Sequence, residues 1–179
     1  PSHREIACLR ALLLTRGVPC VSPGRSTVFA SDWAHDLQLL LHAVLHPRSV
    51  PATRAALATR LLGLDFGALQ ALRDDPLQAA RETQRFEQWR ALWEQAGVLA
   101  LVRAVCAEAA VRLLACEDGE RAMTDLRHLG ELLQQAEEEM HGADQLLGWL
   151  AHQREEAQTM DAEDRQLRME SDARRVRLT

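Results

Sequence analysis

The sequence predicts a mainly α fold in which a helical block lies between short strands near the two ends of the chain. Three observations carry this. Leu and Ala are abundant, while aromatic residues make up 4% and Tyr is absent, which suits an aliphatic helical core. Apolar residues recur at three- and four-residue intervals between Gly, Pro and capping residues over most of the length. Val18-Pro19-Cys20-Val21 and Val176-Arg177-Leu178-Thr179 carry instead the short β-branched or alternating pattern of strands. At 179 residues the chain is long enough for one domain that buries roughly 70% of its unfolded surface.

Each element has its own signal. Ser2-His3-Arg4-Glu5 has capping-box spacing, and Ile6, Leu9, Leu12 and Leu13 follow at helical intervals, so a first helix is expected over 3–16, up to Gly17. The strand at 18–21 runs into the turn Ser22-Pro23-Gly24-Arg25. Ser31 caps a helix whose face is Trp33, Leu37, Leu40, Leu41, Val44 and Leu45, ending at Pro47. Pro51 fits the first turn of a helix expected to run to about Gly63. Asp65 caps a short helix to Leu72, and Asp75-Pro76 opens a longer one with Leu77, Ala80, Phe86, Trp89 and Trp93 near one face, up to Gly97. Helices follow over 98–115, 120–140 and 144–158. Residues 159–173 are polar and weakly periodic and read as a connector into the last strand.

Composition excludes some chemistry. All 21 basic residues are Arg, with no Lys anywhere, so no Gly-x-x-x-x-Gly-Lys-Ser/Thr phosphate loop exists and the chain is no standalone P-loop ATPase. Charge is uneven: residues 1–60 carry seven Arg against three acids (+4), 61–173 eleven against twenty-three (−12), and 174–179 three Arg (+3), giving the formal −5. Basic ends tolerate a phosphate backbone and the acidic middle repels one. Cys8, Cys20, Cys106 and Cys116 have no Cys-x-x-Cys spacing and read as buried reduced thiols. With no signal-peptide pattern and no apolar run near the ~20 residues of a membrane span, a cytoplasmic protein is expected.

The remaining constellations favour structure over catalysis. His42 and His46 stand four apart on a helix, but position 43 is Ala and no third metal ligand is evident. His128 with Glu131, and His141 after Glu137-Glu138-Glu139, read as solvated helix faces. No strand-turn-helix elbow surrounds any Ser. Trp33, Trp89, Trp93 and Trp149 sit at helical spacings among Leu residues, where core packing outweighs base stacking. Gly24-Arg25-Ser26-Thr27, with Phe29, forms the most plausible nucleic-acid element, against the alternative of a plain turn feeding the next helix.

Gln166-Leu167-Arg168-Met169-Glu170-Ser171-Asp172, followed by Ala173-Arg174-Arg175-Val176-Arg177-Leu178-Thr179, resembles the segment leading into motif V of the RecB family, the β subunits of exodeoxyribonuclease V among UvrD-like superfamily 1 helicases. Two more stretches fit that family in order and spacing. One is Ser26-Thr27-Val28-Phe29 with Leu39–Val44 and Arg54–Gly63. The other is Gly119-Glu120-Arg121 through Thr124-Asp125 to His128-Leu129-Gly130-Glu131-Leu132-Leu133-Gln134. In the family the last strand continues into Thr-Ile-His-x-x-Lys-Gly-Leu-Glu, so a chain ending at Thr179 reads as a piece of a larger motor.

The resemblance implies a helical 2B-type insertion at 31–173, with 159–173 its connector, between partial 2A segments at 1–30 and 174–179. The two strands would then be remnants of one RecA-like 2A sheet. It implies a parent that uses ATP and Mg2+, unwinds and degrades DNA, and works with RecC- and RecD-type subunits. The fragment itself would be non-catalytic and hold no cofactor, since the Walker motifs and the nuclease Lys are missing. Arg25, Ser26 and Thr27 fall near the family's DNA path, and Arg174, Arg175 and Arg177 form a second basic cluster; both are candidate phosphate contacts for weak DNA binding. Trp33 and Ala34 depart from the charged helix start common in UvrD-like proteins. Two alternatives fit the same residues: the equivalent region of AddA, and a standalone helical adaptor that binds proteins.

Overall fold

A computed structural model describes residues 28–173, with side chains described through residue 160. Among these residues the fold is α throughout, with seven helices: α1 (Asp32–Leu45), α2 (Val50–Leu57), α3 (Phe66–Asp74), α4 (Pro76–Ala96), α5 (Val98–Leu114), α6 (Gly119–Glu139) and α7 (Ala143–Ala173). Both candidate strands, and the expected helix at 3–16, lie outside the described residues.

Ser31, Asp65 and Asp75, read from the sequence as caps, begin their helices, and Ser49 caps a further one. Ser31 Oγ accepts from Ala34 N at 3.2 Å and Ser49 Oγ from Ala52 N at 3.5 Å. Asp65 accepts from Ala68 N at 2.8 Å, and Asp75 from Leu77 N and Gln78 N at 2.9 and 3.1 Å. Each satisfies amide donors that a helix start leaves without partners, worth about 1 kcal/mol.

Helix α1 is the hub, packing against α2, α4, α6 and α7. Leu37, Leu40, Leu41 and Val44 are buried on it, as the apolar spacing requires, with Trp33 and Leu45 at the margin. The tryptophans serve the core: Trp89 and Trp93 are buried, and Trp89 meets Phe86 edge to face at 5.2 Å between centroids.

Three stretches differ from expectation. Helix α2 stops at Leu57 rather than near Gly63, because one local side-chain bond and several tertiary partners replace its helical hydrogen bonds. Thr59 Oγ1 donates back to Ala56 O at 2.6 Å, Arg60 N donates to Asp36 at 3.2 Å, and Arg112 donates to the carbonyls of Arg60 and Leu61. The stripe on α4 fails at its start, where Leu77 is 74% exposed and Ala80 is also exposed. Residues 159–173 are no irregular connector but the continuation of α7; between Ala143 and Ala173 the only Gly is Gly148 and there is no Pro, and Ala, Glu, Gln, Arg, Leu and Met propagate a helix without an apolar face.

The α4–α5 corner turns within one residue. Gly97 adopts φ +82°, and a Cβ there would lie 2.7 Å from Gln134 Oε1. Gly97 has no side chain with which to cap α5, so α6 supplies the cap: Glu137 Oε2 accepts from Val98 N at 3.0 Å and Gln134 Oε1 from Leu99 N at 3.3 Å. The other oxygen of Glu137 accepts from Trp93 Nε1 at 2.5 Å. Replacing Glu137 by Ala orphans both donors and should destabilise the fold by about 2–3 kcal/mol; Gly97→Ala, strained by its backbone, should cost about 1–3 kcal/mol. Urea unfolding midpoints measure both, and an unchanged midpoint for Glu137→Ala would remove this corner from the account of stability.

Candidate functional surfaces

The predicted DNA-contact residues Arg25, Ser26, Thr27, Arg174, Arg175 and Arg177 all lie outside the described residues. Phe29, grouped with them in the sequence, does not belong to a binding loop. It is 3% exposed and its ring meets Trp149 of α7 edge to face at 5.6 Å. An aromatic beside a polar turn looks available in sequence; its partner lies far along the chain.

Next to it sits an ionic cluster that sequence reading missed. Asp36 on α1 is 6% exposed, and its Oδ2 accepts from Arg60 Nε at 2.9 Å and Arg60 N at 3.2 Å. Arg60 also pairs with Asp32 at 3.1 Å and stacks on Trp33, 4.5 Å from the ring centroid. From α7, Arg154 donates to Gln38, while its Nε is buried with no partner. Burial lowers the pKa of the Arg154 guanidinium from its ordinary value, and the Asp36 charge acts to raise it again. The cluster ties α1 to the turn after α2 and to α7. Its only advance signal was an Asp on the otherwise apolar face of α1.

Around it opens a polar cleft of about 310 Å³, lined among others by Asp32, Arg60, Asp118, Arg121 and Asp125. Three carboxylates against two guanidiniums give this surface no preference for phosphate. His42 and His46 are exposed, their rings 4.6 Å apart, and among the described residues no cluster of three or more metal-ligating side chains occurs.

A second surface is more apolar. Helices α5 and α6 pack closely along their length, and one side of the seam forms a groove of about 650 Å³ over Leu99, Val102, Cys106 and Met123, rimmed by Arg103, Arg127 and His128. Arg127 pairs with Glu131 at 3.2 Å, whereas Arg103 is exposed. Cys106 is buried on the groove floor, where desolvation pushes its thiol up to about 11. Cys116, expected to be buried, is exposed, because α5 ends at Leu114 and the turn to Gly119 carries it outward. The groove was invisible in sequence, since α5 is apolar nearly all round and does not mark the side left uncovered.

These features define a helical protein segment, and among its described residues no group of three or more His, Cys, Asp or Glu is placed to hold a metal ion. Its sequence is similar to part of known RecB subunits. The chain is 32% identical over 180 residues to RecBCD enzyme subunit RecB of Escherichia coli K12, covering 99% of the chain and 15% of that protein. It is 35% identical over 179 residues to the RecB subunit of Mycolicibacterium smegmatis, covering 99% and 16%, and 32% identical over 178 residues to that of Mycobacterium tuberculosis H37Rv, covering 98% and 16%. The chain thus spans about one sixth of the length of these relatives. No family model matches it. No helix among the described residues is long and apolar enough to cross a membrane.

Two predictions follow from the geometry. At pH 8, N-ethylmaleimide should label Cys116 about tenfold or more faster than Cys106, because only thiolate reacts and Cys106 is held neutral; peptide mass mapping reads each site, and equal rates would refute the buried thiol. Asp36→Ala should lower stability by about 2 kcal/mol, with the Arg60 charge partly relieved by solvent, measured as a shift in urea midpoint.

Proposed function

We propose that this chain is the non-catalytic, helical 2B-type part of a RecB-type subunit that processes double-strand DNA ends for recombinational repair. The observation that carries the reading is the match to RecB subunits along 99% of the chain. A mainly helical fold supports it, since 2B-type subdomains are helical inserts within a RecA-like 2A domain. On this reading residues 31–173 are the insertion and residues 1–30 and 174–179 belong to 2A, with Val18–Val21 and Val176–Thr179 as strands of one sheet. ATP and Mg2+ serve the whole subunit and are held by residues outside this chain, which has no Lys for a nucleotide phosphate. RecC- and RecD-type subunits are the protein partners.

DNA meets the basic ends. Arg25, Ser26 and Thr27 on one side and Arg174, Arg175 and Arg177 on the other neutralise a few phosphates, while the net −12 of residues 61–173 keeps the acidic block away. Titration of forked DNA at several salt concentrations tests this. With about two or three phosphate contacts, log K should fall with log salt at a slope of about −2 to −3. Arg25→Ala with Arg174→Ala should flatten the slope, and Arg103→Ala should leave it unchanged. Arg112 is no suitable control, because it holds the carbonyls after α2. Tight binding that ignores salt, or magnesium-dependent ATP turnover that stays with the purified chain through several columns, would overturn the proposal.

A further inference from the structure

We infer that the α5–α6 groove is the docking site for an amphipathic helix with carboxylates beside its apolar face, carried by a companion subunit of the same assembly. The inference rests on the RecB-type reading above, which supplies a companion chain, and adds the surface that meets it.

The dimensions fit such a helix. The groove-lining residues run from Leu99 to Ala107 on α5 and from Met123 to Glu131 on α6, each about 12 Å of helical rise, or two turns. A volume of about 650 Å³ suits two or three apolar side chains delivered at i, i+3 and i+4 spacing. The floor of Leu99, Val102, Cys106 and Met123 offers no polar group beyond a thiol held neutral.

Charge sets the partner's chemistry. Residues 61–173 are strongly acidic as a block, yet the groove rim is locally cationic: Arg103 and Arg127 face one carboxylate, Glu131, which Arg127 already engages. A helix with Asp or Glu flanking its apolar face matches that rim. A nucleic-acid backbone does not, since it would set phosphates over an apolar floor with few cations to meet them.

The test uses the full-length RecB-type protein containing this stretch and its RecC-type companion subunit. Arg103→Glu and Ala107→Trp alter exposed groove positions without touching the core, and Arg73→Glu on α3 serves as a control on another face. Each groove variant should weaken companion binding tenfold or more, on the order expected for an interface anchor, while Arg73→Glu binds as wild type and thermal unfolding is unchanged in all three. Independently, the companion should slow alkylation of Cys106 several-fold and leave Cys116 unaffected. Wild-type protein that binds no companion subunit would overturn the assembly reading, and this inference with it. Normal companion binding by both groove variants, with Cys106 unprotected, would overturn the groove alone. Groove variants that lose DNA affinity or self-association instead would assign the surface to DNA or to a second copy and reject the companion helix.

Discussion

One carboxylate holds the corner on which half of this structure turns. Glu137 reaches from α6 to accept the Trp93 indole N–H of α4 and the first amide of α5. A helix beginning at Gly97 has no side chain of its own to cap it, and a buried indole N–H without a partner is costly. With both donors satisfied from a third helix, α4 and α5 can reverse direction within one residue and still pack. The antiparallel register that results is fastened further along by Arg85 and Glu108, 2.5 Å apart.

The other half is organised by a buried acid. Asp36 lies on the otherwise apolar face of α1, and its position stops α2 early by drawing Arg60 inward. Such an ion pair contributes little net stability compared with a hydrophobic replacement, but removing one partner is costly. It links three elements: Arg60 of the turn after α2 bonds Asp36 directly, while Arg154 of α7 bonds Gln38 on the same helix as Asp36 and feels the Asp36 charge. Glu137 fixes the α4–α5–α6 unit and Asp36 fixes the hub to its flanks.

This architecture fits the mechanical role proposed above. Its polar groups are spent on corners and caps, the cleft beside Asp36 is charge-balanced, and the surface left open is a short apolar groove with a cationic edge. An insertion of the proposed kind needs rigidity and contact surfaces, which the Glu137 corner and the α5–α6 groove would supply. The exposed Phe66, Leu77, Val111 and Leu114, on α3, α4 and α5, are further apolar surface of a kind common where a segment is packed within a larger protein.

Much of the fold was legible in the sequence because it is governed locally. Ser31, Asp65 and Asp75 start helices through contacts two or three residues away, and the i, i+3, i+4 spacing on α1 named the buried Leu and Val residues. The lack of Lys excluded a P-loop phosphate site without any structure. What the sequence left undecided depended on partners distant along the chain. Phe29 became core because Trp149 comes to meet it, α2 ended early because Asp36 and Arg112 compete for its backbone, and Cys116 was exposed because α5 stopped two residues before it. The helix through 159–173 was missed for a different reason: periodicity reports burial of one face, and a polar segment can be helical with no such face. The candidate groove was legible least of all, since a helix that is apolar nearly all round does not declare which side its neighbours will leave open, and only tertiary packing makes that choice.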